Sequence, residues 1–198
     1  MNKLKNAVIF SLGRCGSHWV TSIMIDLLGG ISRGHNDIQM MPHGWILHTH
    51  DIDYLLLRYP QEIREETMLI ACYRENKFDW LISHYVAQQT NEWYVYSDKQ
   101  IAPFTINPIE FEAKIVDTTY ENENHGQLST LWPNFFEIKY EDLANSEIPE
   151  KYVAKCLGLE YKKTQGLSQQ GSKKNPRDYQ KLILNWDELV AISKKYVA

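Results

Sequence analysis

The chain alternates short apolar runs with stretches of helical spacing, and this alternation predicts an α/β fold. Four runs of four to six residues are largely apolar, as in strands that are buried on both faces. They occupy residues 7–10, 45–49, 68–73 and 135–139. Between Ser17 and Leu28, apolar side chains instead recur every three or four residues, which indicates a helix. We therefore expect a three-layer α/β/α domain around a short central parallel sheet.

The rest of the chain adds helices and two less regular segments to this domain. Helical spacing also marks residues 76–90, 108–116, 149–158, 177–184 and 186–196. Residues 91–131 are rich in Asn, Glu, Tyr and Thr, and we interpret them as an irregular excursion with one or two helices. Segment 162–181 places basic residues among Ser, Gln and Gly, and we expect a mobile surface loop there. Because no internal repeat or Pro/Gly/Ser-rich linker is present, residues 1–198 are predicted to form a single domain.

Composition narrows the class of protein. The 198 residues are 43% hydrophobic and 12% aromatic, which excludes a disordered or low-complexity chain. A net charge of −4 argues against general nucleic-acid binding, so an anionic ligand would need a local site. The apolar runs are too short to span a membrane, and the first residues lack a signal-peptide pattern. The widely spaced Cys15, Cys72 and Cys156 form no disulfide or metal pattern, so we expect a reduced, cytoplasmic protein.

A glycine loop, Gly13–Trp19 (G-R-C-G-S-H-W), follows the first predicted strand. A strand, a glycine loop and a helix N-terminus together can bind an anion, because backbone N–H groups and the helix dipole favour negative charge. Arg14 adds a positive charge and Ser17 adds a hydroxyl. A plain tight turn is the alternative interpretation. The loop differs from the Walker loop of nucleoside triphosphatases, since no lysine follows Gly16.

The glycine loop resembles the 5′-phosphosulfate loop of sulfotransferases, commonly P-[KR]-[ST]-G-[ST]-[TN]-[WL]. Those enzymes use 3′-phosphoadenosine 5′-phosphosulfate (PAPS) as the sulfuryl donor. Two positions depart from the family pattern, because Gly13 replaces Pro and His18 replaces Ser or Thr. We expect the first change to loosen the loop and the second to remove a hydroxyl contact with phosphate.

A second motif, C-Y-R-E-N-K-F-D-W-L-I-S, places Arg74 at the end of a predicted strand and Ser83 in the next helix. Ligands of open α/β sheets bind beyond the carboxyl ends of the strands. The motif resembles the sulfotransferase site for the donor's 3′-phosphate, with a spacing one residue longer than is usual in the family. The alternative is an ordinary ion pair between Arg74 and a carboxylate such as Glu75, with Ser83 as an ordinary helix residue.

A third motif, Trp45–His50 (W-I-L-H-T-H), resembles the K-[TS]-H strand end whose histidine is the general base of cytosolic sulfotransferases. His50 aligns with that base, and an imidazole can accept a proton at neutral pH. His48 replaces the family lysine. Two packed or surface histidines are the alternative, and a metal site would need a third ligand such as His35 or His43.

Two further segments resemble sulfotransferase motifs. The string F-F-E-I-K-Y-E-D-L at 135–143 is similar to a strand end whose role in the family is largely structural. The string K-N-P-R-D-Y-Q-K-L-I-L-N-W-D-E-L at 174–189 is similar to the ending of many members. Lys173 and Lys174 take the place of an R-K-G loop that binds the 3′-phosphate in the cytosolic branch. The matches leave out only 91–131, the part that helps to select the acceptor in the family.

The resemblance implies a P-loop NTPase-like sulfotransferase fold and transfer of a sulfuryl group from PAPS to a hydroxyl of a carbohydrate or small molecule. The pattern is most similar to that of bacterial carbohydrate sulfotransferases, and no metal is required. His50 would remove the acceptor proton, and Arg14 would stabilise charge on the bridging oxygen. The donor and its product 3′-phosphoadenosine 5′-phosphate (PAP) would contact Arg14, Cys15, Gly16, Ser17, His18, Trp19, Arg74, Ser83, Lys173 and Lys174.

Two other functions stay open. One is a non-catalytic relative that binds PAPS or PAP. The other is a small P-loop kinase with a degenerate loop, which the missing lysine and magnesium ligands disfavour. We expect no nucleic-acid partner and no membrane span. Because the chain is short for the family, we expect an acceptor pocket that is open or is completed by a second subunit in a homodimer.

Overall fold

The computed structural model describes residues 6–28, 38–41, 44–51, 55, 61–91, 101–125, 128–161 and 178–196. Its strands are β1 (Asn6–Phe10), β2 (Ile38–Met41), β3 (Gly44–Thr49), β4 (Thr67–Tyr73) and β5 (Phe135–Lys139). Its helices are α1 (Ser17–Leu27), α2 (Gln61–Glu66), α3 (Lys77–Thr90), α4 (Pro108–His125), α5 (Leu128–Leu131), α6 (Tyr140–Asn145), α7 (Pro149–Cys156), α8 (Tyr179–Leu182) and α9 (Trp186–Ser193).

The described strands form one sheet in the order β2-β3-β1-β4-β5. Strand β1 lies between β3 and β4 and is parallel to both, and β5 runs parallel to β4. Strand β2 pairs with β3 in the antiparallel direction. The protein therefore has an α/β fold in which four strands of the sheet are parallel, as the apolar runs predicted. The antiparallel strand was not predicted.

The central strands β1 and β4 are buried on both faces. Val8, Ile9, Leu69 and Ile70 are fully buried, although successive side chains of a strand point to opposite faces. This burial explains why both strands are continuous apolar runs. Ile9 of β1 lies beside His48 of β3 in the parallel register, so the residues that follow these strands emerge at the same edge of the sheet.

The chain divides into two compact units. The first takes its residues from 1–75 and 125–172 and contains the sheet with α1, α2, α5, α6 and α7. The second takes its residues from 76–124 and 173–198 and contains α3, α8, α9 and all but the last residue of α4. Whether 1–198 acts as a single domain stays a prediction.

In the first unit, α1 packs against β1, β3 and α7. An apolar cluster that includes side chains of β1, β3 and β4 consists of Val8, Phe10, Leu47, Leu55, Leu69, Leu128 and Trp132. The indole Nε1 of Trp132 donates to the carbonyl oxygen of Thr67 at 2.8 Å. This hydrogen bond satisfies the one polar group that the large ring carries into the core.

In the second unit, aromatic rings and one asparagine join segments that are distant in sequence. The ring of Phe78 meets those of Phe111 and Trp186 edge-on, with centroids 5.9 and 5.0 Å apart. Asn185 donates from Nδ2 to the carbonyl oxygen of Ile106 at 2.9 Å, and its Oδ1 accepts from the Ile106 N–H at 3.1 Å. The segment before α4 is thereby fixed to the start of α9.

Several helices differ in extent from the sequence predictions. Helix α4 continues well past the predicted end of 108–116, and α8 covers only the middle of 177–184. Helix α9 is shorter than 186–196, while α2 and α6 were not predicted. Each of the two missed helices has only six residues, too few for a recognisable apolar period.

The two irregular segments are described in part. Within 91–131, the one or two expected helices are α4 and α5. Of the basic segment 162–181, residues 162–177 lie outside the described part of the chain, and the last residues form α8 rather than a loop. No helix among the described residues is both long and apolar enough to cross a membrane.

Candidate functional site

The glycine loop between β1 and α1 contains three residues with left-handed backbone conformations. These are Gly13 (φ 82°), Arg14 (φ 52°) and Gly16 (φ 80°). Two of the positions are glycine, which adopts this conformation without steric cost, whereas Arg14 is strained by about 1–2 kcal/mol. A Cβ atom at Gly16 would lie 3.0 Å from Cδ2 of Tyr140, so the close approach of the loop to α6 also requires glycine.

The loop ends at the N-terminus of α1, where Gly16 is the N-cap residue. The first N–H groups of a helix have no intrahelical partner, and the glycine has no side chain to accept from them. Helix α1 has 11 residues, so its dipole is developed. Together with the half-buried Arg14, this end of the helix has the chemistry of an anion site.

Behind the loop, two buried serines and a histidine form a chain of hydrogen bonds. Ser11 Oγ donates to Ser17 Oγ at 3.0 Å and accepts from the Gly13 N–H at 3.2 Å. Ser17 Oγ lies 2.8 Å from Nε2 of His48. The Ser17 hydroxyl is therefore engaged by protein groups, and what Ser17 offers an anion is its backbone N–H.

His50 is held by its Nδ1 atom, which lies 2.7 Å from the carbonyl oxygen of Ser11. A carbonyl oxygen only accepts, so Nδ1 carries the hydrogen and donates it. Nε2 of the neutral ring then holds the lone pair. His50 itself is exposed, so the arrangement presents a base to solvent and fixes which nitrogen is basic.

His48 differs from His50 because it is buried, with only 6% of its surface exposed. Burial, together with smaller contributions from the neighbouring His18 and His50, lowers the pKa of His48 to about 3. The imidazole is therefore neutral at physiological pH.

His18, at the start of α1, completes a group of three imidazoles that we call the histidine cluster. Its ring centroid lies 4.2 Å from that of His48 and 6.4 Å from that of His50. The rings of His48 and His50 are 4.6 Å apart. The sequence pointed to His35 or His43 as the third histidine, and both lie outside the described residues.

Arg74 follows β4 directly and contacts α6. Its guanidinium lies 4.5 Å from the ring centroid of Tyr140, a cation–π contact. Its Nε is 3.8 Å from Oε1 of Glu141. Glu75 forms an ion pair with Lys139. The structure therefore pairs Arg74 with Glu141, whereas the alternative interpretation of the sequence named Glu75.

Cys15 connects the glycine loop to the end of β4. It is 97% buried, and burial raises the pKa of its thiol to about 12, although the Arg74 guanidinium acts in the opposite direction. The backbone of Arg74 also hydrogen-bonds the Cys15 sulfur. The thiol is thus protonated and unsuited to nucleophilic chemistry, and the loop lies side by side with Arg74.

The remaining predicted residues are placed differently. Trp19 is buried in α1, so its indole belongs to the core. Ser83 is buried in α3, within the second unit. Lys173 and Lys174 lie outside the described residues. In the first unit, the structure brings together the glycine loop, the two predicted histidines and Arg74.

Two residues that sequence reasoning assigned only to a structural motif lie at this site. Tyr140 touches both Gly16 and Arg74, and Glu141 pairs with Arg74. Both belong to the K-Y-E-D-L string, so the signal that could have found them was present. Ser11 gave no such signal, because a serine at a strand end is common.

Neither a protein-family model nor a curated protein matches this chain. A functional assignment therefore depends on the chemistry of the residues that the fold assembles.

Proposed function

We propose that this protein is a PAPS-dependent sulfotransferase with a three-layer, P-loop NTPase-like fold. The observation that carries the proposal is the arrangement around β1. The glycine loop follows β1, His50 follows β3 and Arg74 follows β4, and these three strands are parallel neighbours. An anion site, a base and an arginine fork at adjacent carboxyl ends suit a phosphorylated nucleotide donor.

In this proposal, two positively charged regions bind the donor. The N-terminus of α1 and Arg14 would hold the 5′-phosphosulfate, and Arg74 would hold the 3′-phosphate. Tyr140 and Glu141 would orient the Arg74 guanidinium, because one lies against its face and the other pairs with its Nε. A 3′-phosphate site is what separates PAP from ADP, so Arg74 defines the nucleotide specificity.

The transfer step needs one base and one charge stabiliser. The acceptor hydroxyl oxygen forms a bond to sulfur while the bond from sulfur to the bridging phosphate oxygen breaks. The acceptor proton passes to Nε2 of His50, whose other nitrogen is held by the Ser11 carbonyl. The electron pair of the broken bond leaves with PAP, where Arg14 stabilises the developing negative charge. The acceptor is a hydroxyl of a carbohydrate or small molecule.

Isothermal titration with PAP, ADP and ATP tests the donor site, once with a chelator present to remove free metal ions and once with excess Mg²⁺ in place of the chelator. We expect PAP to bind and ADP to bind more weakly, and Arg74→Ala to abolish the preference for PAP. Arg64→Ala is the matched control, because Arg64 also lies over an aromatic ring, that of Trp132, but follows no strand. Preference for ATP with magnesium, or absence of nucleotide binding, would refute the proposal.

Catalysis is tested separately, with radiolabelled PAPS and a panel of sugars and small alcohols. Label transferred to an acceptor, with PAP released in equal amount, supports a sulfotransferase. PAP binding without transfer to any acceptor would favour a non-catalytic nucleotide-binding relative instead.

A further inference from the structure

The histidine cluster has a property that sulfuryl transfer does not use. One nitrogen from each of His18, His48 and His50 lies within 4.8 Å of the others. Among the described residues, these are the one group of three His, Cys, Asp or Glu side chains that is close enough to share an ion. The three residues come from two elements, with His18 in the first turn of α1 and the other two at the end of β3.

The parallel pairing of β1 and β3 accounts for this convergence. His48 lies in β3 and His50 directly follows it, and their ring centroids are 4.6 Å apart. Helix α1 follows β1 and packs against β3. The first turn of that helix therefore places His18 over the end of the neighbouring strand, with its ring against that of His48.

We propose that His18, His48 and His50 form a binding site for a borderline divalent transition metal such as Zn²⁺. Neutral imidazoles suit Zn²⁺, Co²⁺, Ni²⁺ and Cu²⁺, whereas Mg²⁺ and Ca²⁺ prefer oxygen ligands. Three histidines leave a fourth tetrahedral position for water or for an oxygen of an anion. The site includes Nε2 of His50, which is also the base of the proposed transfer, so a bound metal would block that step. It shares no residue with the 3′-phosphate site at Arg74.

The distances are compatible with binding after a small rearrangement. Around a tetrahedral ion with metal–nitrogen bonds of about 2.0–2.1 Å, neighbouring nitrogens are about 3.3 Å apart. One nitrogen of each ring, Nδ1 or Nε2, already lies within 4.8 Å of the others, so for those atoms the separations must shorten by at most about 1.5 Å. His18 is half-buried and His50 exposed, so rotation of these two side chains can close the group around the buried His48.

Hydrogen bonds already orient two of the rings as a metal site requires. Metal-binding histidines usually donate from the other ring nitrogen to a carbonyl, carboxylate or similar group. In His50, Nδ1 donates to the Ser11 carbonyl, which leaves Nε2 as the ligand atom. In His48, Nε2 lies against Ser17 Oγ, so coordination through Nδ1 would let Nε2 donate to that hydroxyl.

Titration of the chelator-treated full chain with Co²⁺ alone tests the proposal, with binding followed by calorimetry and by visible absorption. We expect one Co²⁺ per chain, intense bands typical of four- or five-coordinate Co²⁺, displacement by Zn²⁺ and no competition from Mg²⁺. His18→Ala and His50→Ala should each weaken binding at least about tenfold. His84→Ala, which alters a histidine of the second unit stacked on Trp80, should bind as the unchanged protein does.

A further variant distinguishes lost ligands from lost structure. His18→Cys replaces one ligand with another, so it should retain Co²⁺ and add a thiolate-to-metal charge-transfer band. No binding by the unchanged protein, or equal binding by the His18→Ala and His84→Ala variants, would overturn the proposal. Arg74→Ala should bind Co²⁺ as the unchanged protein does. The Co²⁺ titration therefore tests the metal site and the PAP titration tests the donor site, and one proposal can fail without the other.

Discussion

Nδ1 of His50 donates a hydrogen bond to the carbonyl oxygen of Ser11 across 2.7 Å. This bond joins the residue after β3 to the residue after β1, so the orientation of the base depends on the pairing of the two strands. The carbonyl oxygen only accepts hydrogen bonds, so Nδ1 keeps its hydrogen and Nε2 is the basic nitrogen. A backbone group thus does here what a carboxylate could also do.

Replacing His50 with Asn should remove the base and retain the contact with Ser11, because the Asn amide nitrogen lies where Nδ1 of the imidazole does. Asn can donate from its amide to the same carbonyl but cannot accept the acceptor proton. We expect kcat for sulfuryl transfer to fall by about 10²–10⁴, with PAP affinity and thermal stability little changed. Radiolabel transfer and calorimetry measure the two effects. Unchanged kcat would show that another group takes the proton.

Gly16→Ala should be more destabilising than Gly158→Ala. Both glycines have positive φ, so both substitutions force alanine into the left-handed region. A Cβ at Gly16 also lies 3.0 Å from Tyr140, whereas nothing lies within 4 Å of one at Gly158. We expect losses in the free energy of unfolding of about 2–4 kcal/mol and about 1 kcal/mol respectively, measured in urea. Equal losses would mean that the loop simply moves away from Tyr140.

In the folded protein, Cys15 and Cys72 should both be alkylated more slowly than Cys156. Burial raises the pKa of Cys15 to about 12 and that of Cys72 well above its ordinary value. A raised pKa lowers the thiolate fraction, to about 10⁻⁴ at pH 8 for a pKa of 12. Cys156 is half-buried and should react first. Peptide mapping after iodoacetamide treatment distinguishes them, and modification of Cys15 at the rate of Cys156 would contradict the burial.

Tyr140→Leu should weaken PAP binding, and Tyr140→Phe should not. The Tyr140 ring lies against the Arg74 guanidinium, and Phe preserves that face whereas Leu does not. Loss of the contact should cost about 1 kcal/mol, or about fivefold in Kd, by calorimetry. Both variants should unfold at similar temperatures, because a purely structural role would change stability instead. Equal Kd values for both variants would remove Tyr140 from the site.

The parallel strands were predictable because a strand that is buried on both faces is apolar at nearly every position. Strands such as β4, buried on both faces, leave an uninterrupted apolar run that no amphipathic helix would produce. Strand β2 has only four residues and, among the described strands, pairs only with β3, so its sequence carries a weaker signal. Short polar helices such as α6 are also missed by sequence analysis, because they have too few residues to show an apolar period.

The sequence predicted that Arg14 lies in the loop after β1 and that Arg74 and His50 follow strands, and the structure has them there. It did not predict the contacts of these residues, and their roles stay predictions. The meeting of His18 with His48 required the order of the strands, since only the adjacency of β1 and β3 brings α1 over that strand end. The contact of Tyr140 with Gly16 likewise depends on a tertiary approach that no local period records.

The second unit has a consequence for how the chain assembles during synthesis. Asn185 bonds the backbone of Ile106, a partner 79 positions earlier, and Phe104 forms a β-bridge with Ile183. Such non-local contacts close long loops and form slowly. Helices α3 and α4 must therefore wait, while translation continues, for the residues of α8 and α9 to leave the ribosome. Until then the Phe78 ring lacks its neighbour Trp186, and apolar surface that stays exposed in this way makes a folding intermediate prone to aggregation.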